Sequence, residues 1–170
     1  MSYKVLEFDK LLKINLKRKI GLCWGGFDFI HAGHILHFKF AKENCNTLIV
    51  AINPDAAFPD KGRGRPFFNE ELRTEIIGSI IYVDYVIVYR GPFLDENLST
   101  GIIHGKIQKT PFIPVEIFNK IKPDVYFKGI EYKDKIIPEL TLIKQYGGEI
   151  IYGPKENVFS SSQLLKKNNL

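Results

Sequence analysis

Cysteine is scarce: the 170 residues contain two, Cys23 and Cys45. So few, and so far apart, they exclude a metal knuckle and a secreted disulfide framework, and they fit a reducing cytoplasm in which both remain thiols. No apolar run approaches the roughly 20 residues that a membrane span needs. Residues 1–19 mix Asp, Glu and several Lys with Leu, which is not an export signal. The expectation is a cytoplasmic chain with no membrane partner. There is no internal repeat. A continuous field of one charge is also missing, because the net +5 arises from 24 Lys and Arg interleaved with 19 Asp and Glu. That scatter argues against a nucleic-acid partner. What remains is an ordinary globular composition, 45% hydrophobic and 25% charged, with length enough for one domain whose core needs no disulfide.

Apolar runs and their breakers place the elements. Leucines at 6, 11, 12 and 16 recur at helical spacing among charges and predict an amphipathic helix over residues 6–17. A short apolar run over 20–24, ended by Gly25-Gly26, predicts a buried strand that stops at a tight turn. A helix over 33–43 and a strand over 47–52, broken by Asn53-Pro54-Asp55, complete a strand-helix-strand unit. Asn69 followed by Glu70 and Glu71 is a helix cap with acids in the first turn, so 70–80 is predicted helical and 84–88 a third strand. Helices over 114–121 and 138–146, the latter closed by Gly147-Gly148, alternate with strands over 124–127 and 149–152. Ser160 to Ser162 then caps a last helix. The alternation predicts an α/β fold, a Rossmann-like parallel five-stranded sheet with helices on both faces and its ligand at the carboxyl ends of the strands. Residues 91–110 read as an excursion from that sheet, and such loops are often functional.

Chemistry concentrates in Gly25-Gly26-Phe27-Asp28-Phe29-Ile30-His31-Ala32-Gly33-His34, which leaves the first strand and enters a helix. Both imidazoles then sit at a helix N-terminus, where amide N–H groups and the dipole favour phosphate. Paired histidines can donate to phosphate oxygens as charge grows on a leaving pyrophosphate, while Gly33 admits the nucleotide close to the backbone. The plainer readings are helix caps or two ligands of an incomplete zinc set. A second concentration is the basic stretch Lys61-Gly62-Arg63-Gly64-Arg65, whose glycines suit a backbone folded around an anion; its plainer reading is a solvated loop.

The run Gly26-Phe27-Asp28 followed by His31-Ala32-Gly33-His34 resembles the HxGH signature of the cytidylyltransferase-like nucleotidyltransferase superfamily. Within it, the chain looks closest to the adenylyltransferase domain of ADP-heptose synthase. The shared features are the early amphipathic helix, Lys61-Gly62-x-Gly64-Arg65-Pro66, Arg73, Lys122-Pro123-Asp124 leading to Lys128-Gly129, and Gly147-Gly148-Glu149. The resemblance implies a transferase that moves a nucleoside monophosphate, AMP favoured, from a triphosphate onto a sugar phosphate and releases pyrophosphate.

It also implies roles for particular residues. His31, His34, Lys61 and Arg73 would be catalytic, with Arg73 near the phosphates or, more plainly, in a surface ion pair. Gly26, Phe27, Asp28, Gly33, Lys128, Gly129 and the Ser160, Ser161, Ser162 helix start would bind nucleotide. Arg63 and Arg65 would meet the acceptor. The 91–110 excursion lies outside the resemblance; because it leaves the end of the third strand and carries His104, it would cover the acceptor, its equal alternative being a dimer contact or an idle surface loop. Mg²⁺ would arrive with the triphosphate and no metal would be held by the protein alone; the expected assembly is a homodimer. Residues 155–161 depart from the Arg-Thr-Glu-Gly-Ile-Ser-Thr stretch of glycerol-3-phosphate cytidylyltransferases, which weakens a CTP reading. The rivals are a cytidylyltransferase for a polyol phosphate and, from another class, a nucleotide sensor without turnover.

Overall fold

In this computed structural model the described residues are 4–57, 65–91, 100–103, 106–109, 113–135 and 137–153. Their strands, in chain order, are β1 (Ile20–Gly25), β2 (Thr47–Ile52), β3 (Tyr85–Val88), β4 (Thr100–Ile103), β5 (Lys106–Lys109), β6 (Val125–Lys128) and β7 (Glu149–Tyr152). Five of them form a parallel sheet in the order β3-β2-β1-β6-β7, so chain order reverses on either side of β1, which is hydrogen-bonded to both β2 and β6. The predicted α/β fold and five-stranded parallel sheet are therefore present. All six residues of β2 are buried, as expected of a parallel strand covered on both faces.

Alternation along the strands separates two cores. Ile20 and Leu22 of β1, Ile49 and Ala51 of β2, and Tyr126 of β6 face a layer made by α1 (Phe8–Leu11), the 113–121 segment and α4 (Glu139–Lys144). Cys23, Leu48, Val50, Ile52 and Phe127 face Phe38 and Ala41 of α2 (Ala32–Glu43) and Ile77 of α3 (Glu70–Gly78). This two-sided cover places the open ends of the strands, not their faces, at a ligand's disposal.

Four helices are shorter than periodicity predicts; one of them, α3, stops at Gly78 rather than at 80. The expected helix over 6–17 contracts to Phe8–Leu11 because its flanks are taken by the sheet. Val5 forms a parallel bridge to Val86, with Leu6 N donating to Val86 O and Val86 N to Lys4 O, each at 2.9 Å. Downstream, the carbonyls of Lys17 and Arg18 accept from Thr47 Oγ1 and Asn46 Nδ2. The expected helix over 114–121 opens into a π-helical turn at Ile117–Ile121, and the chain leaves it at Lys122 with φ +50°, since a residue before proline avoids the right-handed helical region. The fourth stops at Lys144 rather than at 146. There Gly147, at φ +81°, donates to Lys144 O while Gly148 N donates to Ile143 O, a Schellman closure that only glycine enters at no steric cost.

The 91–110 excursion contains a separate antiparallel pair, β4 with β5. His104 lies outside the described residues, as do Lys61, Arg63 and Ser160 to Ser162 with the helix predicted there. No helix among the described residues is long and apolar enough to cross a membrane.

Candidate functional site

The reversal of strand order at β1 puts the crevice between the carboxyl ends of β1 and β6, where open α/β sheets bind ligands. The chain leaves β1 through a tight turn in which Phe27 is left-handed, φ +48°, a conformation costing a non-glycine residue about 1–2 kcal/mol. Packing offsets that cost. The Phe27 ring lies 5.2 Å from Phe38 and edge-on to His34 at 5.5 Å. Gly25 makes room, because a Cβ there would stand 3.2 Å from the Phe27 ring. Phe27, expected to bind nucleotide, packs edge-on against the His34 ring.

His31 is the N-cap of α2, and its Nδ1 accepts from Gly33 N at 3.1 Å, while His34 Nδ1 accepts from His31 N at 3.4 Å. With both Nδ1 atoms used as acceptors, the proton of each neutral ring belongs on Nε2. Burial lowers the pKa of His31; burial first, then the neighbouring His31 and His37, push His34 down to about 3. The ring centroids are 3.9 Å apart. The result is a pair of uncharged N–H donors at a helix start whose dipole favours an anion.

Asp28 and Arg73 are turned into the protein. Asp28, 4% exposed, accepts at Oδ1 from Phe67 N (2.7 Å) and Phe68 N (3.1 Å). Its Oδ2 stands 2.5 Å from Arg65 Nε in an ion pair without hydrogen-bond alignment, and the Arg65 guanidinium lies 5.1 Å from the Phe67 ring centroid. Arg73 has no exposed surface, which excludes the surface ion pair. Four of its N–H donors are directed at Phe68 O (3.0 Å), Gly26 O (2.7 Å), Asn53 O (2.9 Å) and Asp55 Oδ1 (2.6 Å). Asp28, expected to bind nucleotide, and Arg73, expected to be catalytic near the phosphates, thus direct these polar atoms at protein groups.

On the far side of the crevice, Lys128 at the end of β6 lies 3.1 Å from Glu139 Oε1, which also accepts from Tyr126 Oη at 2.9 Å. The ammonium sits over the Tyr126 and Tyr132 rings at 4.9 and 5.0 Å. Burial, then the Glu139 charge, pushes the Tyr126 hydroxyl well above its ordinary pKa, so it stays a donor. At Gly129 a Cβ would meet the Glu131 carboxylate. His37, one turn beyond His34, is a neutral ring whose pKa burial lowers, held at the Phe127 backbone. Glu139, Asp55 and His37 are absent from the sequence-derived site. His37 had a visible signal in the three-residue rhythm of 31, 34 and 37, whereas Glu139 reads as an ordinary acid opening a helix. Among the described residues, no three His, Cys, Asp or Glu side chains gather as a metal site.

The sheet order and the histidine-bearing helix start define an α/β protein with an anion-favouring site at the carboxyl ends of its strands. Residues 22–167 match the cytidylyltransferase-like family, and the chain belongs to it. It is similar to the "Bifunctional protein HldE" of Campylobacter jejuni strain RM1221, 32% identical over 177 residues that cover 98% of this chain and 33% of the relative. Its counterpart in Campylobacter concisus strain 13826 is 30% identical over 140 residues, 82% of this chain and 25% of the relative. The chain thus spans a third or less of these relatives. In fold it is similar to the lipopolysaccharide core biosynthesis protein from Thermoplasma volcanium GSS1, with TM-score 0.56, 24% identity, and coverage of 80% of this chain and 96% of that one. It is also similar to pantothenate synthetase from Thermus thermophilus, with TM-score 0.59, 16% identity, and coverage of 96% and 70%. The resemblance read from the motifs is borne out.

Proposed function

We propose that the chain transfers AMP from ATP to a sugar phosphate such as a heptose 1-phosphate, releasing pyrophosphate, in the synthesis of surface-glycan precursors. The observation that carries this reading is the pair of neutral imidazoles, His31 and His34, whose Nδ1 atoms cap α2 and whose Nε2–H donors remain for phosphate. An acceptor phosphate oxygen forms a bond to the α-phosphorus, the bond from that phosphorus to the bridging oxygen breaks, and the electron pair leaves with pyrophosphate. Neutral N–H donors suit this step, since the growing negative charge needs hydrogen bonds and no proton transfer. Mg²⁺ accompanies the triphosphate. Lys61, Arg63 and Arg65 are assigned to the triphosphate and acceptor phosphates, and Ser160 to Ser162 to the β- and γ-phosphates. Similarity to the HldE relatives supports a sugar phosphate as acceptor.

Pyrophosphate release measured with ATP and CTP against a panel of sugar and polyol phosphates tests the reading. Turnover with ATP and a heptose 1-phosphate is the expected result. Turnover confined to CTP with a polyol phosphate overturns it in favour of a cytidylyltransferase, and tight triphosphate binding without turnover would indicate a sensor.

A further inference from the structure

We propose that Arg73 and Asp28 are positioning residues, a buried clamp of opposite charges that locks the turn from Gly26 to Asp28 ahead of the histidine pair; neither is a phosphate ligand. The proposal rests on the reading that His31 and His34 are the catalytic pair.

Arg73 lies on α3, yet its donors reach the first carbonyl beyond β1, Gly26 O, and the first beyond β2, Asn53 O. Carbonyls just past a strand end have lost their ladder partners, and a buried one needs a donor. A planar fork can serve several at once where an ammonium cannot. Nη2 adds Asp55, so the guanidinium charge is neutralised locally. Phe68 is gripped from both sides, its N–H by Asp28 Oδ1 and its carbonyl by Arg73 Nε. The two ions therefore meet through one residue and enclose the left-handed Phe27 between them. Phe27 in turn supports the His34 ring. With four donors turned onto protein oxygens and no exposed surface, Arg73 acts on chemistry through this turn. Arg65, held on the other Asp28 oxygen and 16% exposed in its side chain, is the cation of the group that retains access to solvent.

Arg73→Lys tests this, because it keeps the charge and loses the fork. The expected result is a fall in kcat of about tenfold to a hundredfold, the range that a small misplacement of catalytic groups costs. Calorimetric affinity for Mg·ATP should stay within about threefold, since no phosphate contact is lost. In the nucleotide-free protein, the ring ¹⁵N signals of His31 and His34 should shift, although residue 73 touches neither ring. Asp28→Asn, which retains an acceptor for the two amides and loses the charge, should give the same pattern more weakly. The double variant should lose less than the sum of the two. Should Arg73→Lys fail to fold, Asp28→Asn decides alone by the same readings. A fall in Mg·ATP affinity of about tenfold or more with unmoved ring signals would make Arg73 a phosphate ligand and overturn the proposal. If the wild type turned over no triphosphate, the functional reading would fall, and the ring signals of the nucleotide-free protein would still decide the clamp.

Discussion

His34 should make the protein's stability fall with acidity by an amount that can be worked from its environment. In the folded chain its pKa is held at about 3, first by burial and then by the neighbouring His31 and His37; in the unfolded chain it returns to about 6.5. A base whose folded pKa is depressed stabilises the fold above the unfolded pKa. It loses that contribution as pH drops below the unfolded value, because the unfolded state then binds the proton and the folded state does not. At pH 5 the unfolded ring is protonated roughly 30 to 1 while the folded ring is about 99% neutral, so the loss relative to pH 7.5 is about 2 kcal/mol. Urea unfolding of the wild type and of His34→Asn at both pH values measures it. Asn places an acceptor where Nδ1 stood, so the bond from His31 N survives the substitution. His31 and His37, also lowered by burial, contribute to both proteins and cancel in the comparison. The variant should lose about 2 kcal/mol less than the wild type between pH 7.5 and pH 5. Equal losses in the two proteins would refute the assignment of His34 as a buried neutral ring.

Three further substitutions probe the frame around the site. Glu139→Ala leaves the Lys128 ammonium, whose side chain is 13% exposed, without its carboxylate; stability should drop by about 3–5 kcal/mol in denaturant unfolding, and a drop below about 1 kcal/mol would show the pair to be solvated. Gly21→Ala would put a Cβ 2.7 Å from both Cys45 Sγ and the Phe127 ring, so a loss of about 1–3 kcal/mol from overpacking is expected. Gly147→Ala meets nothing within 4 Å and should cost only the about 1 kcal/mol of a left-handed backbone. No loss of stability in Gly21→Ala would contradict the packing of β1 against Cys45 and Phe127.

The five strands of the parallel sheet were legible in the chain because each is a short apolar run bounded by a breaker; Thr47–Ile52 and Glu149–Tyr152 lie where their composition puts them, whereas β4 and β5, in the stretch read as an excursion, were not. The helix starts at His31 and Asn69 were equally legible, since a cap is a local event written in adjacent residues. Helix ends were less so: α1 is cut short by bonds to Val86, Asn46 and Thr47, all remote in sequence. The site divides along the same line. A pair of histidines three apart announces itself, whereas the setting of Arg73 depends on the carbonyls of Gly26 and Asn53, 47 and 20 residues away, and no periodicity reports backbone oxygens. Glu139 was silent because its partners, Tyr126 and Lys128, lie on a different element.

The central claim is that the Nε2–H of His34 stabilises charge as pyrophosphate leaves. Single-turnover pyrophosphate release by His34→Asn, which keeps the cap and removes that donor, tests it most directly when set beside His34→Gln, whose amide nitrogen stands near the former Nε2. The expected result is a loss of about a hundredfold or more in rate for Asn at nearly unchanged ATP affinity, with partial recovery in Gln. A rate for His34→Asn close to wild type would contradict it.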